Sequence, residues 1–296
     1  MIRKPVVAGR FYSANRDELI KEIEGCFSSP FGPTVSFKSS SFEKILGLIS
    51  PHAGYVFSGP CAAHGFHALK NTKVEEKTVF VILGVNHTGL GNSGISLYDF
   101  ETPLGVAKNN RFLSIELSKL SNIPLDESPH VYEHSIEVQI PFLQYLFKDK
   151  FTIVPAVIDA DTNFDLFGEA LVRLTKEHHQ NIIVIASSDF THYGIDYHYT
   201  PFGQPGNKEV ERDDFESIKI ILKKDAETFL DRANQRTICG RYTITALLKY
   251  LAKLEEHNES SQIKGELLKY YQSSEIYPSD SFVGYASIVF GSNKKE

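Results

Sequence analysis

Four short runs are almost wholly apolar and rich in β-branched side chains: residues 45–49, 78–83, 151–158 and 182–186. Such runs suit strands covered on both faces. Between and beside them, apolar positions recur at helical spacing over roughly 58–70, 134–148 and 162–179. The alternation predicts an α/β fold, a largely parallel sheet with helices on its faces. Near the start, Asn15 to Glu18 reads as a capping box heading a helix with Leu19, Ile20, Ile23 and Phe27 on one face. A Ser-rich loop over 28–43 follows. Beyond residue 195 the pattern predicts a Pro- and Gly-containing loop over 197–207, helices near 208–223, 225–234 and 241–254, and a closing strand over 282–290. No internal repeat or linker interrupts the chain, so residues 1–296 read as a single domain.

Composition narrows the class. Hydrophobic residues make up 42% and charged residues 23% of the 296 residues, which is globular rather than disordered. A formal net charge of -6 argues against nucleic acid or an anionic membrane surface as the main partner. No apolar run approaches the roughly 18 residues of a membrane helix, and the first residues lack the apolar stretch of a signal peptide. Cys26, Cys61 and Cys239 are far apart and odd in number, so neither a disulfide framework nor a paired-cysteine zinc site is expected. A reducing cytoplasm fits best.

In open α/β sheets, ligands bind beyond the carboxyl ends of the strands. Three histidines fall at such ends: His52 after the first strand, His87 after the second, and His192 after the third, three residues beyond Asp189. Most of the 11 histidines should be ordinary surface or hydrogen-bonded residues. Three at equivalent strand ends instead point to one shared site. Cys239 lies just before a predicted helix between Arg236 and Arg241, a setting expected to favour the thiolate. Cys26 and Cys61 sit on apolar helical faces and read as core. The segment from His130 to His134 matches H-x-x-E-H, which on a helix would make a zinc peptidase motif with Glu133 as base. Pro129 puts its first ligand at a fraying helix end, so the expected role of the region is instead for His134 and Glu137 to face the site as supporting or substrate-binding groups. Phosphate-cradling glycine loops and the G-x-S-x-G nucleophile elbow are absent from the sequence.

Taken together, Pro51-His-Ala-Gly-Tyr55 with Ser58-Gly59 and Ala62-Ala63, Asn86-His87, Glu133-His-Ser-Ile-Glu137, Pro141-Phe142, Ser187-Ser-Asp-Phe-Thr-His192 and Cys239-Gly-Arg241 resemble the Memo family. That family includes a human mediator of cell motility and microbial proteins called AmmeMemoRadiSam system protein B. The opening Val7 to Tyr12 and the closing Val283 to Ala286 also match, so the resemblance spans nearly the whole chain. It implies a three-layer α/β/α fold with a central mixed, largely parallel sheet, similar to the class III extradiol dioxygenases, which use a non-haem iron. It further implies one Fe(II) or copper ion, with zinc also compatible, on His52, His87 and Cys239, with His192 where the dioxygenases keep a catalytic base. Asp189 would orient it or a water. Tyr55, His134, Glu137 and Arg241 would line the site. The dioxygenases complete their metal site with a carboxylate; here a thiolate would stand in its place, which argues against ordinary ring cleavage. The expectation is therefore a dioxygenase-like oxidoreductase acting on a small molecule or peptide. The alternative is a non-catalytic adaptor that keeps the cleft and binds a peptide or a radical-SAM protein. The family's human member is linked to phosphotyrosine peptides, but this chain shows no tight arginine cluster for phosphate.

Overall fold

A computed structural model describes residues 1–33, 40–70, 78–178, 181–257 and 262–293. In chain order the elements are β1 (Ile2–Arg3), α1 (Arg16–Ser28), β2 (Lys44–Ser50), α2 (Tyr55–Lys70), β3 (Thr78–Gly84), β4 (Gly94–Ile95), β5 (Asp99–Thr102), β6 (Gly105–Ala107) and α3 (Arg111–Ser121). There follow α4 (Ile140–Phe147), β7 (Phe151–Val157), α5 (Phe164–Glu177), β8 (Asn181–Ser187), β9 (His192–Tyr193), α6 (Asn207–Leu222), α7 (Ala226–Ala233), α8 (Arg241–His257), β10 (Lys264–Gln272) and β11 (Phe282–Ser292). None of the described helices is long and apolar enough to cross a membrane.

Among the described residues, the main sheet runs in the order β10-β11-β2-β8-β3-β7-β4, with β9 joined to β11. The central pairs β2–β8, β8–β3 and β3–β7 are parallel, and the outer pairs are antiparallel. This is the expected mixed, largely parallel sheet. Successive strand residues point to opposite faces, and here both faces are dry. From β3, Val79, Val81 and Leu83 enter a core shared with α3, α5 and α8, while Phe80 and Ile82 enter a second core shared with α1, α2 and α4. The same split divides Ile182, Val184 and Ala186 of β8 from Ile183 and Ile185. A strand buried on both sides can only be apolar throughout, which is why these segments read as continuous runs. Each fully buried Ile, Leu or Phe contributes on the order of 1.5–3 kcal/mol.

Helix α1 starts as the sequence predicts. Asn15 Oδ1 accepts the amides of Asp17 and Glu18, and Leu19 and Ile23 are buried. The reciprocal half of the capping box is not made, because Glu18 takes the Ser13 hydroxyl instead. The hydrophobic pattern assigns nothing between residues 84 and 128, where the structure places β4, β5, β6 and α3. The α3 signal was local: Asn110 caps it by accepting the Leu113 amide, and Leu113 and Leu117 are its buried pair. Strand β10 is a half-exposed edge with a bulge between Leu267 and Lys269, so it lacks both alternation and a continuous apolar run. Part of the Ser-rich loop, 34–39, and residue 179 of the predicted 162–179 helix lie outside the described residues.

One correction bears on function. The predicted helix over 134–148 is only Ile140–Phe147, preceded by a single 3-10 turn at Glu137–Gln139. Pro129 and Pro141 sit at the starts of separate short helical pieces, because proline lacks the amide that a continuing helix needs. Residues 131–136 are thus outside any helix, and H-x-x-E-H has no helical face on which to align its histidines.

Candidate metal centre

The parallel strands β2, β3 and β8 end on one rim, at Ser50, Gly84 and Ser187. Their loops bring His52, His87 and Asp189 together across 137 residues of sequence. His52 is 2% exposed. Its backbone amide donates to Asp189 Oδ1 at 2.8 Å, its Nδ1 lies 2.9 Å from Ser187 Oγ, and its Nε2 lies 3.1 Å from Cys239 Sγ. Burial, then the neighbouring His87, His134 and His192, hold its pKa well below the ordinary histidine value. The ring is therefore neutral.

Glu133 organises His87. It is buried, and Oε2 accepts the His87 amide at 2.8 Å while Oε1 takes His87 Nδ1 at 2.9 Å. The amides of His134 and Ser135 complete its shell at 2.9 and 2.8 Å. Burial alone would raise this carboxyl; the hydrogen bond and charge of His87, the charge of His134 and the Ser135 amide bring it down to about 2. Such a carboxylate fixes a ligating imidazole with Nδ1–H outward and Nε2 toward the site. The approach requires a glycine at the end of β3, since a Cβ on Gly84 would meet Ile136 Cγ1 at 2.5 Å and Ser135 Oγ at 2.8 Å. His134 stacks on His87 at 4.7 Å and meets the edges of His52 at 5.5 Å and Phe11 at 4.8 Å.

Cys239 comes from the turn before α8. Gly240 lies so close to the β8 end that a Cβ would sit 2.3 Å from Ser188 Cβ and 2.7 Å from Ser187 O, which holds Cys239 against the strand rim. Its sulfur accepts the Asp189 amide at 3.2 Å. The flanking arginines do not act on it as the sequence led us to expect. Arg236 pairs with Asp213 at 2.6 Å, and the Arg241 guanidinium lies 4.7 Å from the Tyr242 ring centre. Burial pushes the thiol up, opposed by its hydrogen bond with His87. Burial would lower His87, but hydrogen bonds with Cys239 and Glu133 carry it up to about 10.

His192 sits beside this cluster. Its Nδ1 faces two carbonyls, Thr237 O at 3.0 Å and Phe190 O at 3.1 Å, so that nitrogen carries the proton and Nε2 keeps its lone pair. Thr237 Oγ1 also accepts the His192 amide and donates to the His192 carbonyl. Asp189 Oδ1 accepts the His52 amide; burial raises its pKa, and the charge of nearby His192 opposes that rise.

Among the described residues, His52, His87 and Cys239 place one ligand atom each within 4.8 Å of one another, and so do His87, Glu133 and His134. The first set fits an ion better. Nitrogen and sulfur donors about 2.1 and 2.3 Å from one tetrahedral ion lie roughly 3.6 Å apart, near the 3.1 Å seen between His52 and Cys239. In the second set the Glu133 oxygens are already filled by amides and His87. Other sequence candidates sit elsewhere. Glu137 binds the N-terminal segment through Arg3, Val6, Val7 and Tyr12. Tyr55 is core, with its hydroxyl donating to Val138 O at 2.7 Å. His130 is 2% exposed and its Nε2 contacts Gly94 O at 2.9 Å. Conversely, Glu133, Ser187 and Thr237 support the site from outside it. Glu133 stood out in the sequence only in another role, as the base of H-x-x-E-H, and Ser187 and Thr237 only by strand-end or pre-helix position, since each acts across 45 or more residues.

The Glu133 network predicts that Glu133→Gln, which sets an amide donor against backbone amides, weakens zinc binding by about 10–100-fold. Competition titration with a chromophoric chelator measures this; an unchanged affinity would mean that His87 is oriented without the carboxylate.

A family model described as Memo-like protein matches residues 3–289. Among curated relatives, MEMO1 family proteins of Methanocaldococcus jannaschii and Pyrococcus furiosus are each 39% identical, covering 97% and 98% of this chain and 98% and 99% of the relatives. One of Nitrosopumilus maritimus is 35% identical over 98% of this chain and 100% of its own. The crystal structure of an uncharacterised protein from Escherichia coli K12 superposes with a TM-score of 0.52 at 16% identity, covering 84% of this chain and 100% of that one. That likeness is one of α/β fold.

Proposed function

Because the chain belongs to the Memo-like family, we propose that it is a metal-binding redox protein that holds one Fe(II) or copper ion on His52 Nε2, His87 Nε2 and Cys239 Sγ. One observation carries this reading: two imidazoles whose Nδ1 atoms are tied outward converge on one thiol. Zinc would suit the same donors, but a thiolate beside two imidazoles also suits copper and iron. When bound, such an ion supplies one-electron chemistry and an open position for O2 or a small substrate.

The chain's own residues do the rest. Glu133 and Ser187 hold the two imidazoles in place. His192, anchored through Nδ1–H, offers Nε2 to accept and return a proton. Phe11 packs edge-on against His134 at 4.8 Å on one side of the site. The reducing cytoplasm expected from the sequence would keep the free thiol of Cys239 available.

The test is metal analysis of anaerobically purified protein beside Cys239→Ser, His52→Ala and His130→Ala. The parent and His130→Ala are expected to carry stoichiometric metal, and the other two to lose it. Equal metal in all four ends the reading.

A second reading, a binding or adaptor module, draws on one observation. Val56, Tyr132 and Ile195, each close in sequence to a site histidine, are 66%, 66% and 68% exposed, and such side chains mark a docking surface where they form one contiguous patch. A metal-independent stoichiometric partner, such as a peptide or radical-SAM protein, together with no O2 consumption by the metal-loaded protein, would favour it.

A further inference from the structure

Ser187 closes β8 and its side chain is fully buried. Three groups surround its hydroxyl: Ser135 O at 2.7 Å, His52 Nδ1 at 2.9 Å and Gln139 Nε2 at 2.9 Å. A hydroxyl has one proton to give. The Ser135 carbonyl can only accept, so that proton is committed to it. The Gln139 amide can only donate. The hydroxyl oxygen is then left to accept from His52, and Nδ1 must carry the hydrogen. Nε2 consequently presents its lone pair to Cys239 Sγ, 3.1 Å away. The opposite tautomer would leave two lone pairs facing each other at Nδ1 and Ser187 Oγ in a site without bulk water, a penalty of about 1–3 kcal/mol.

We infer that Ser187 is a positioning residue that locks His52 in the Nδ1–H tautomer before any ligand arrives. The surrounding bonds hold the lock in place. The Thr243 hydroxyl lies between the Ser187 carbonyl at 3.0 Å and the Gly240 carbonyl at 2.9 Å, the Ser188 amide donates to Ser50 O at 2.9 Å, and Asp189 grips the His52 backbone. The ring can neither swing nor flip without breaking strand-end bonds. Glu133 does for His87 with a charge what Ser187 does for His52 with a neutral hydroxyl. The difference matters chemically: a charged partner raises the basicity of its imidazole, whereas a hydroxyl already donating elsewhere fixes the tautomer without adding charge beside the ion. The consequence for metal affinity rests on the proposed function; the tautomer itself does not.

Long-range nitrogen–proton NMR on metal-free, nitrogen-15-labelled protein reads the tautomer directly. Parent protein and Gln139→Met, which removes a donor and leaves the Ser187 oxygen free to accept, are expected to show His52 as Nδ1–H. In Ser187→Ala/Gln139→Met, where neither the hydroxyl nor a rotated amide can receive the proton, it is expected to move to Nε2 and face the sulfur. Zinc affinity of that variant should fall about 10–100-fold, while the thiolate charge-transfer band of the cobalt-loaded form persists. Nδ1–H retained in the double variant, or Nε2–H in the parent, overturns the inference. The parent spectrum decides the matter even if the variant does not fold. Failure of the parent to bind any metal would count against the metal reading alone.

Discussion

Replacing Glu137 by alanine is expected to destabilise the protein by about 3–5 kcal/mol, because it strips the partner from a buried arginine and orphans three further donors. Glu137 is fully buried and Arg3 is 6% exposed. The carboxylate accepts Arg3 Nη1 at 2.7 Å, Tyr12 Oη at 2.7 Å and the amides of Val6 and Val7 at 2.9 and 3.0 Å. Arg3 in turn donates to the carbonyls of His130 and Glu133. The N-terminal segment is thereby fastened to the loop that supplies Glu133 and His134. Alanine would leave a cation without a counter-charge, a far larger penalty than losing an exposed pair. Urea denaturation at neutral pH measures it. A loss below about 1 kcal/mol, the range of surface pairs, would show that water replaces Glu137 at no cost. The loosened segment should also reduce metal retention, since Phe11 packs on His134.

The second large effect is a pH dependence carried by Asp214. This carboxyl of α6 is fully buried, accepts the Thr191 hydroxyl at 2.6 Å and the Tyr270 hydroxyl at 2.8 Å, and is pushed up to about 7, chiefly by burial. An unfolded aspartate titrates near 3.9. The folded state thus binds the proton more tightly than the unfolded one. Its stabilising contribution is complete below about pH 4 and is lost as pH rises toward 7. Over the full window the loss is about 4 kcal/mol, of which roughly 2–3 kcal/mol falls between pH 5 and pH 8. Asn in place of Asp214 keeps an acceptor for Thr191 and cannot ionise. Unfolding free energies of parent and Asp214→Asn, measured at both pH values, should diverge by that amount, with the parent losing ground at pH 8. Parallel curves would place the native pKa near the unfolded value. Thr191 precedes His192, so the same ionisation bears on the segment that carries the proton-transfer candidate.

Some of this was written locally. Residues 78–83 and 182–186 can only be strands covered on both faces, because each alternate side chain needs its own dry core. The strand-end rule then placed His52, His87 and His192 on one rim. Other parts were out of reach. The fate of residues 130–137 illustrates why. Five residues matched a helical zinc motif, yet Pro129 and Pro141 kept the segment out of a helix, and its two histidines and two glutamates went to four tasks. His130 went to Gly94, Glu133 to His87, His134 to the ring stack and Glu137 to the N-terminal segment. Likewise, the sequence placed Arg236 and Arg241 beside Cys239, whereas the fold turned one to Asp213 and the other to Tyr242.

The division has a physical cause. Periodicity, caps and turn chemistry act within a few residues, so the sequence by itself determined the layers of the fold and which loops share a rim. Hydrogen-bond partners of a buried polar group are chosen by proximity across the whole chain. Only the tertiary structure decided that His52 answers to Ser187, His87 to Glu133 and His192 to Thr237, and therefore which nitrogen each imidazole turns toward the centre.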